Sequence, residues 1–141
     1  FRSVPCIYYG DEIGLKNAPG FESRACFPWD AANWDVELRA FYQRLISLRR
    51  TEEVLAYGAF QMLYWDDSLI LFQRLWKNRH ILVSANRNQE EVPGRILTLP
   101  EAQFGEKARF VGLFAEKSME TSGNDLALPS LPMGGEIWLQ Q

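Results

Sequence analysis

The chain has 141 residues, 47% of them apolar, enough for one hydrophobic core with an appendage. Its 15 basic and 18 acidic side chains leave a formal net charge of −3, so no basic footprint points to nucleic acid. No apolar run approaches the ~20 residues that span a membrane, and Cys6 and Cys26, with no CxxC and no nearby histidine, read as free thiols in a reducing, cytoplasmic compartment, any leader peptide lying upstream.

Residues 4–9 (V-P-C-I-Y-Y), ended by Gly10, predict a short strand buried on both faces, as in a parallel sheet. Pro5 is tolerated near its start. Residues 10–33 run without periodicity through Gly14, Pro19, Gly20 and Pro28, and a loop that long is usually functional. Leu38, Phe41, Tyr42, Leu45, Ile46 and Arg49 then recur at helical spacing and predict a helix over residues 35–51. Asn33 or Asp35 suits its cap, and Arg49 and Arg50 suit the negative end of its dipole. Strand, loop and helix in that order make a β/α unit.

The period changes to two after Gly58. Strands are predicted at 60–64, 69–76, 80–85, 95–99, 109–114, 125–128 and 136–139, between polar turns such as Asp66-Asp67-Ser68. Seven or so short strands point to an antiparallel sandwich over residues 57–141. Phe60, Met62, Tyr64, Leu69, Leu71, Ile81 and Val83 are expected on one inner face. The fold class is therefore mainly β: an antiparallel β-sandwich preceded by one strand, loop and helix. The strand at 4–9 has no parallel partner in the chain, so it belongs to a larger sheet. A start at Phe1 rather than Met likewise points to a piece of a longer protein.

Four sequence words carry a resemblance. V-P-C-I-Y-Y-G-D-E-I-G-L (4–15) resembles the eighth barrel strand and following turn of the α-amylase family of glycoside hydrolases. R-A-C-F-P-W-D (24–30) resembles the arginine-to-tryptophan motif of the next loop. I-S-L-R-R (46–50), then L-A-Y-G (55–58), resembles the last barrel helix and the entry to domain C. L-V-S-A-N-R (82–87) resembles a domain C strand. They stand in family order, and the resemblance is greatest to the maltodextrin glucosidase, neopullulanase and cyclomaltodextrinase branch. The resemblance implies that residues 1–56 end a (β/α)8 barrel and residues 57–141 form domain C. It implies retaining hydrolysis of α-glucosidic bonds in maltodextrins or cyclodextrins, by a nucleophile and an acid that lie upstream of this chain.

Asp11 and Glu12 are therefore not a catalytic pair, and adjacent side chains of an extended chain diverge. The resemblance makes Arg24 a contact to bound glucan, and a guanidinium fork suits that role. A structural ion pair is the competing reading. The Asp-Pro usual before this arginine is absent, and Glu22 is the candidate replacement. Neither cofactor nor metal is expected. The partners implied are an α-glucan oligosaccharide, the rest of the barrel and, for this chain alone, a second copy through its unpaired strand edge or helix face. Trp29 is expected to pack against the barrel, and His80 to face solvent. Trp65 and Trp76, at hairpin ends, are core or edge cover, or else a surface glucan site. The rival function is a free-standing β-sandwich that binds carbohydrate or serves structurally.

Overall fold

A computed structural model describes residues 4–16, 25–101 and 103–141. The chain divides into two compact units, Phe1–Glu52 and Glu53–Gln141. The sequence places the change of pattern slightly later, at Tyr57 and Gly58.

In the first unit, residues 4–8 form no regular secondary structure among the described residues, where a buried strand is expected. Val4 and Tyr8 are 84% and 59% exposed. The physical reason is that a strand is held by ladders to its neighbours, and none pairs with it here. The loop is not featureless: 3₁₀ turns stand at Asp11–Ile13 and Ala31–Asn33. Helix α1 (Val36–Thr51) begins where Asp35 Oδ1 accepts from the Leu38 amide at 2.9 Å and carries Arg49 and Arg50 in its last turn. No α1 residue is fully buried; Phe41 and Ile46 on its apolar stripe are exposed.

The second unit opens with a short helix not predicted from the sequence, α2 (Glu53–Tyr57), whose Val54 is buried. Gly58 ends it, donating its amide to the Val54 carbonyl at 2.9 Å. Eight strands follow: β1 (Ala59–Trp65), β2 (Leu69–Trp76), β3 (Arg79–Asn86), β4 (Arg95–Thr98), β5 (Arg109–Gly112), β6 (Ser118–Ser122), β7 (Asp125–Leu128) and β8 (Gly134–Gln140). All pairings are antiparallel, in the order β1-β2-β3-β8-β5-β6-β7-β4. Strand β6 escaped the sequence reading because S-M-E-T-S holds one large apolar residue, Met119, which is buried.

Every strand contributes to one core: Leu63, Leu71, Leu82, Leu97, Phe110, Met119, Leu126 and Trp138, in that order of sequence, come from β1 to β8. A single sheet that shares one core along its whole width must curl on itself. The end strands meet where Arg95 of β4 lies over the Tyr64 ring of β1, 5.0 Å from its centroid. The result is a nearly closed antiparallel sandwich. Full burial of a Leu or Phe side chain contributes roughly 1.5–3 kcal/mol.

Three of the seven residues predicted for the inner face lie there. Tyr64, Leu69 and Leu71 face the core, but Phe60 and Met62 share the outer face with Phe72. The register shifts between Met62 and Tyr64, and this bulge turns Leu63 inward. Ile81 and Val83 also face outward, opposite to Leu82. Ile81 is buried nonetheless, on the side where α2 packs against β2 and β3.

Candidate functional site

The loop that follows residues 4–8 is folded by short-range bonds. Gly10 adopts φ +88, and a Cβ there would stand 2.6 Å from the Leu15 side chain, so only glycine fits. Its amide donates to Glu12 Oε2 at 3.0 Å, and its carbonyl accepts from Leu15 at 2.9 Å. Glu12 thus braces its own turn. The divergence expected of Asp11 and Glu12 on an extended chain is replaced by a 3₁₀ turn, in which Ile13 is buried. The Ile13 carbonyl accepts from Asp35, which ties the loop to the start of α1.

A hydrogen bond links the two sequence words that carry the expected substrate contact. Tyr9 Oη donates to the Ala25 carbonyl at 3.1 Å, across 16 positions. It fixes the end of the first word beside the residue that follows Arg24. Arg24 and Glu22 themselves lie outside the described residues. Beyond Ala25 the chain is held by aromatic contacts. Phe27 stands 4.9 Å from Trp29 and 6.0 Å from Trp34, and Trp34 Nε1 donates to the Pro28 carbonyl at 2.6 Å. Arg39 of α1 covers the Trp34 ring at 5.3 Å. Asp30 caps the second 3₁₀ turn through the Ala32 amide. Trp29, expected to pack against the barrel, is 85% exposed in this chain, its ring beside that of Phe27. Tyr8 and Tyr9 are both exposed, with rings 4.7 Å apart.

The sandwich holds no cluster of three or more His, Cys, Asp or Glu side chains fit for a metal among the described residues. His80 is buried, not solvent-facing: its Nδ1 lies 2.8 Å from Gln73 Oε1, and Phe104 abuts its ring edge-on at 5.0 Å. Burial pushes its pKa below 6.5. Spacing gave no sign of this, since the loop that brings Phe104 over His80 is remote in sequence. Cys6 and Cys26 are free and exposed.

The fold and the braced loop define a class: an antiparallel β-sandwich preceded by a turn-and-helix unit whose loop is tied by the Tyr9–Ala25 bond. No family model matches the chain. It is 32% identical over 128 residues to a cyclomaltodextrinase of Thermoanaerobacter pseudethanolicus, a match covering 91% of this chain and 21% of the relative. It is 32% identical over 104 residues to neopullulanase 2 of Thermoactinomyces vulgaris, covering 72% of this chain and 18% of that protein. Among solved structures, the debranching enzyme of Nostoc punctiforme superposes with a TM-score of 0.80 at 27% identity, over 99% of this chain and 28% of that one. The chain belongs to the α-amylase family and corresponds to a C-terminal part of such an enzyme. It spans about a fifth of the length of the curated relatives it matches.

Proposed function

We propose that this chain supplies the end of a (β/α)8 barrel, residues 1–56, and the following domain C, residues 57–141, of an enzyme that hydrolyses α-glucosidic bonds in maltodextrins or cyclodextrins with retention. One observation carries the reading: a single alignment to a cyclomaltodextrinase runs through 91% of the chain. Nucleophile and acid come from earlier barrel strands, so the chain alone has positioning groups and nothing for them to act with. Its partners are an α-glucan and the remaining barrel, whose neighbouring strands would pair residues 4–9. The exposed free thiols favour a cytoplasmic enzyme.

The test is expression of the open reading frame that contains this chain, with its upstream sequence, against the 141-residue chain alone. The longer protein is expected to release sugar from β-cyclodextrin and maltotriose, and the chain alone none. An upstream sequence without a barrel would return the free-standing sandwich, and release by the chain alone would refute the division of labour.

Within this reading Arg24 contacts the bound glucan, and Glu22 stands in for the missing Asp. The support is the Tyr9–Ala25 bond, which anchors the backbone next to Arg24. Arg24→Lys keeps the charge and loses the planar fork. In the longer protein it is expected to lower kcat/KM by about ten- to a hundredfold without loss of folding, as for a charged hydrogen bond worth roughly 1.5–3 kcal/mol. Unchanged kinetics on maltotriose would remove Arg24 from the site.

A further inference from the structure

The two hairpin-end tryptophans differ. Trp76 is covered by the Tyr57 ring at 5.8 Å, whereas Trp65 is 70% exposed and so is neither core nor edge cover. Neither lines the cavity of about 220 Å³ that opens where β8 begins. Its walls come from the loop after β5 and the connection from β7 to β8, with Phe114, Leu131 and Met133 among them, and from the buried Trp138. Strand alternation explains the space. Gly134, Glu136 and Trp138 share the inner face of β8, opposite Asn86, Ser84 and Leu82. Gly134 has no side chain, and a Cβ there would meet nothing within 4 Å. Room is thus left directly beside Glu136 on the same face.

Glu136, 5% exposed, is the only buried carboxylate among the described residues. Its Oε1 accepts from the Phe114 and Ile137 amides, both at 2.9 Å, and its Oε2 from Ala115 at 2.7 Å. A carboxylate offers about four lone-pair sites, so Oε2 keeps one. No described lysine or arginine forms an ion pair with it. The cation that lines the cavity, Lys117, is committed elsewhere. Its Nζ donates to the Ser130 carbonyl at 2.8 Å and hydroxyl at 3.1 Å, and stands 3.8 Å from Glu91 Oε1. Holding the loop accounts for the three amides on Glu136. It does not account for open space beside a buried charge that only amide dipoles offset.

An occupant that suits this space has a compact apolar body and one cationic N–H donor. An anion would face the Glu136 charge. A wholly apolar body would shut the carboxylate from water without supplying a hydrogen bond. An apolar cavity of ~150 Å³ takes one benzene ring, so this one has room for a six-membered ring with an aminomethyl arm. We infer that the cavity is a binding site for a small protonated amine, with the ammonium on Glu136 and the apolar body between Phe114, Met133 and Trp138. The inference does not rest on the function proposed above.

Benzylamine is the probe, with benzyl alcohol and benzoate as controls of similar size. The isotopically labelled 141-residue chain is titrated with each, and the amide signals of Ala115 and Ile137 are followed by NMR. Benzylamine is expected to shift both saturably, with a Kd of roughly 1 mM, usual for so small a ligand. Benzyl alcohol should bind about tenfold more weakly, because charge-assisted hydrogen bonds are roughly twice as strong as neutral ones. Benzoate should not bind. Glu136→Gln should abolish the preference for amine over alcohol, and a preference that survives it overturns the inference. Should that variant fail to fold, the order of the three ligands on the unmodified chain still decides. Equal affinity for amine and alcohol, shifts that leave Ala115 and Ile137 untouched, or no saturation up to roughly 20 mM overturns it as well.

Discussion

Arg95 Nη2 donates to Asp66 Oδ2 at 2.8 Å, and this ion pair joins the two end strands of the sheet. β4 carries the arginine, while Asp66 follows directly on β1. The same carboxylate caps the β1–β2 turn by accepting the Ser68 and Leu69 amides, both at 2.7 Å, and accepts from Tyr64 Oη at 2.8 Å. One side chain thus holds a turn and closes the sheet.

The Ser68 amide first, with Tyr64, Leu69 and Arg95 adding to it, holds the Asp66 carboxyl well below its ordinary range. A depressed carboxylate gives stability that is present above its unfolded pKa and lost as pH falls toward the folded one. Asp66→Asn is therefore expected to destabilise the sandwich near neutral pH and to flatten the acid limb of stability below about pH 4. The site is partly exposed, so the neutral-pH loss should be about 1 kcal/mol. Urea midpoints across that pH range check it. An acid limb as steep as that of the unmodified chain would mean that other carboxylates carry it.

His80 acts in a separate window. Its neutral ring is held by Gln73, whose Nε2 already donates to Gln61 Oε1 at 2.7 Å and to Gln103, leaving Oε1 to accept. Nδ1 therefore carries the proton. Burial keeps the folded pKa below 6.5, so the unfolded chain binds more protons once pH falls beneath that value. Stability is full above it and declines as pH falls toward the folded pKa. Denaturant midpoints are expected to drop as pH falls below about 6.5, before Asp66 titrates. His80→Gln should remove part of that slope. Equal slopes in both proteins would assign the decline elsewhere.

Much of the sandwich was legible because strand alternation survives in Leu69, Leu71 and Leu82, and polar turns separate the strands. What was not legible has local causes. The β1 bulge moved Phe60 and Met62 to the outer face, and a one-residue shift of this kind leaves the apolar pattern unchanged. Strand β6 is held by its neighbours rather than by its own composition. His80 is covered by Phe104 and bonded to Gln73, which spacing along β3 cannot reveal. Of the candidate site, the motif words were legible, but the Tyr9–Ala25 bond needs a folded loop.

Gly58 offers a steric prediction. A Cβ there would stand 2.3 Å from the Val54 carbonyl oxygen and 3.0 Å from that of Leu75. Both obstacles are backbone, so neither can swing away. One carbonyl also accepts the Gly58 amide that ends α2. Gly58→Ala is expected to cost about 1–3 kcal/mol, as overpacking does, despite the better propensity of alanine. A thermal unfolding midpoint equal to that of the unmodified chain would show that α2 can shift off β2 at no cost.

The amino-terminal segment gives the last prediction. Ile7 and Tyr8 are exposed, and residues 4–8 form no ladder among the described residues. A few positions on, Ile13 is buried, its amide donates to Gly10, and Leu15 donates to the same carbonyl. Local opening is cheapest where apolar contacts are few and backbone groups face water. Amide exchange in the chain alone is therefore expected to be fast at Cys6, Ile7 and Tyr8, and slower at Ile13 and Leu15. Self-association through the unpaired edge is the other way to protect these amides, and it would show as a concentration-dependent mass. Hydrogen exchange and light scattering on one sample separate the two. Slow exchange at Ile7 and Tyr8 in a strictly monomeric sample fits neither, because protection needs a partner for those amides. It would mean that the chain builds its own support for this segment, and the free-standing module would then replace the barrel end as the reading of residues 1–56.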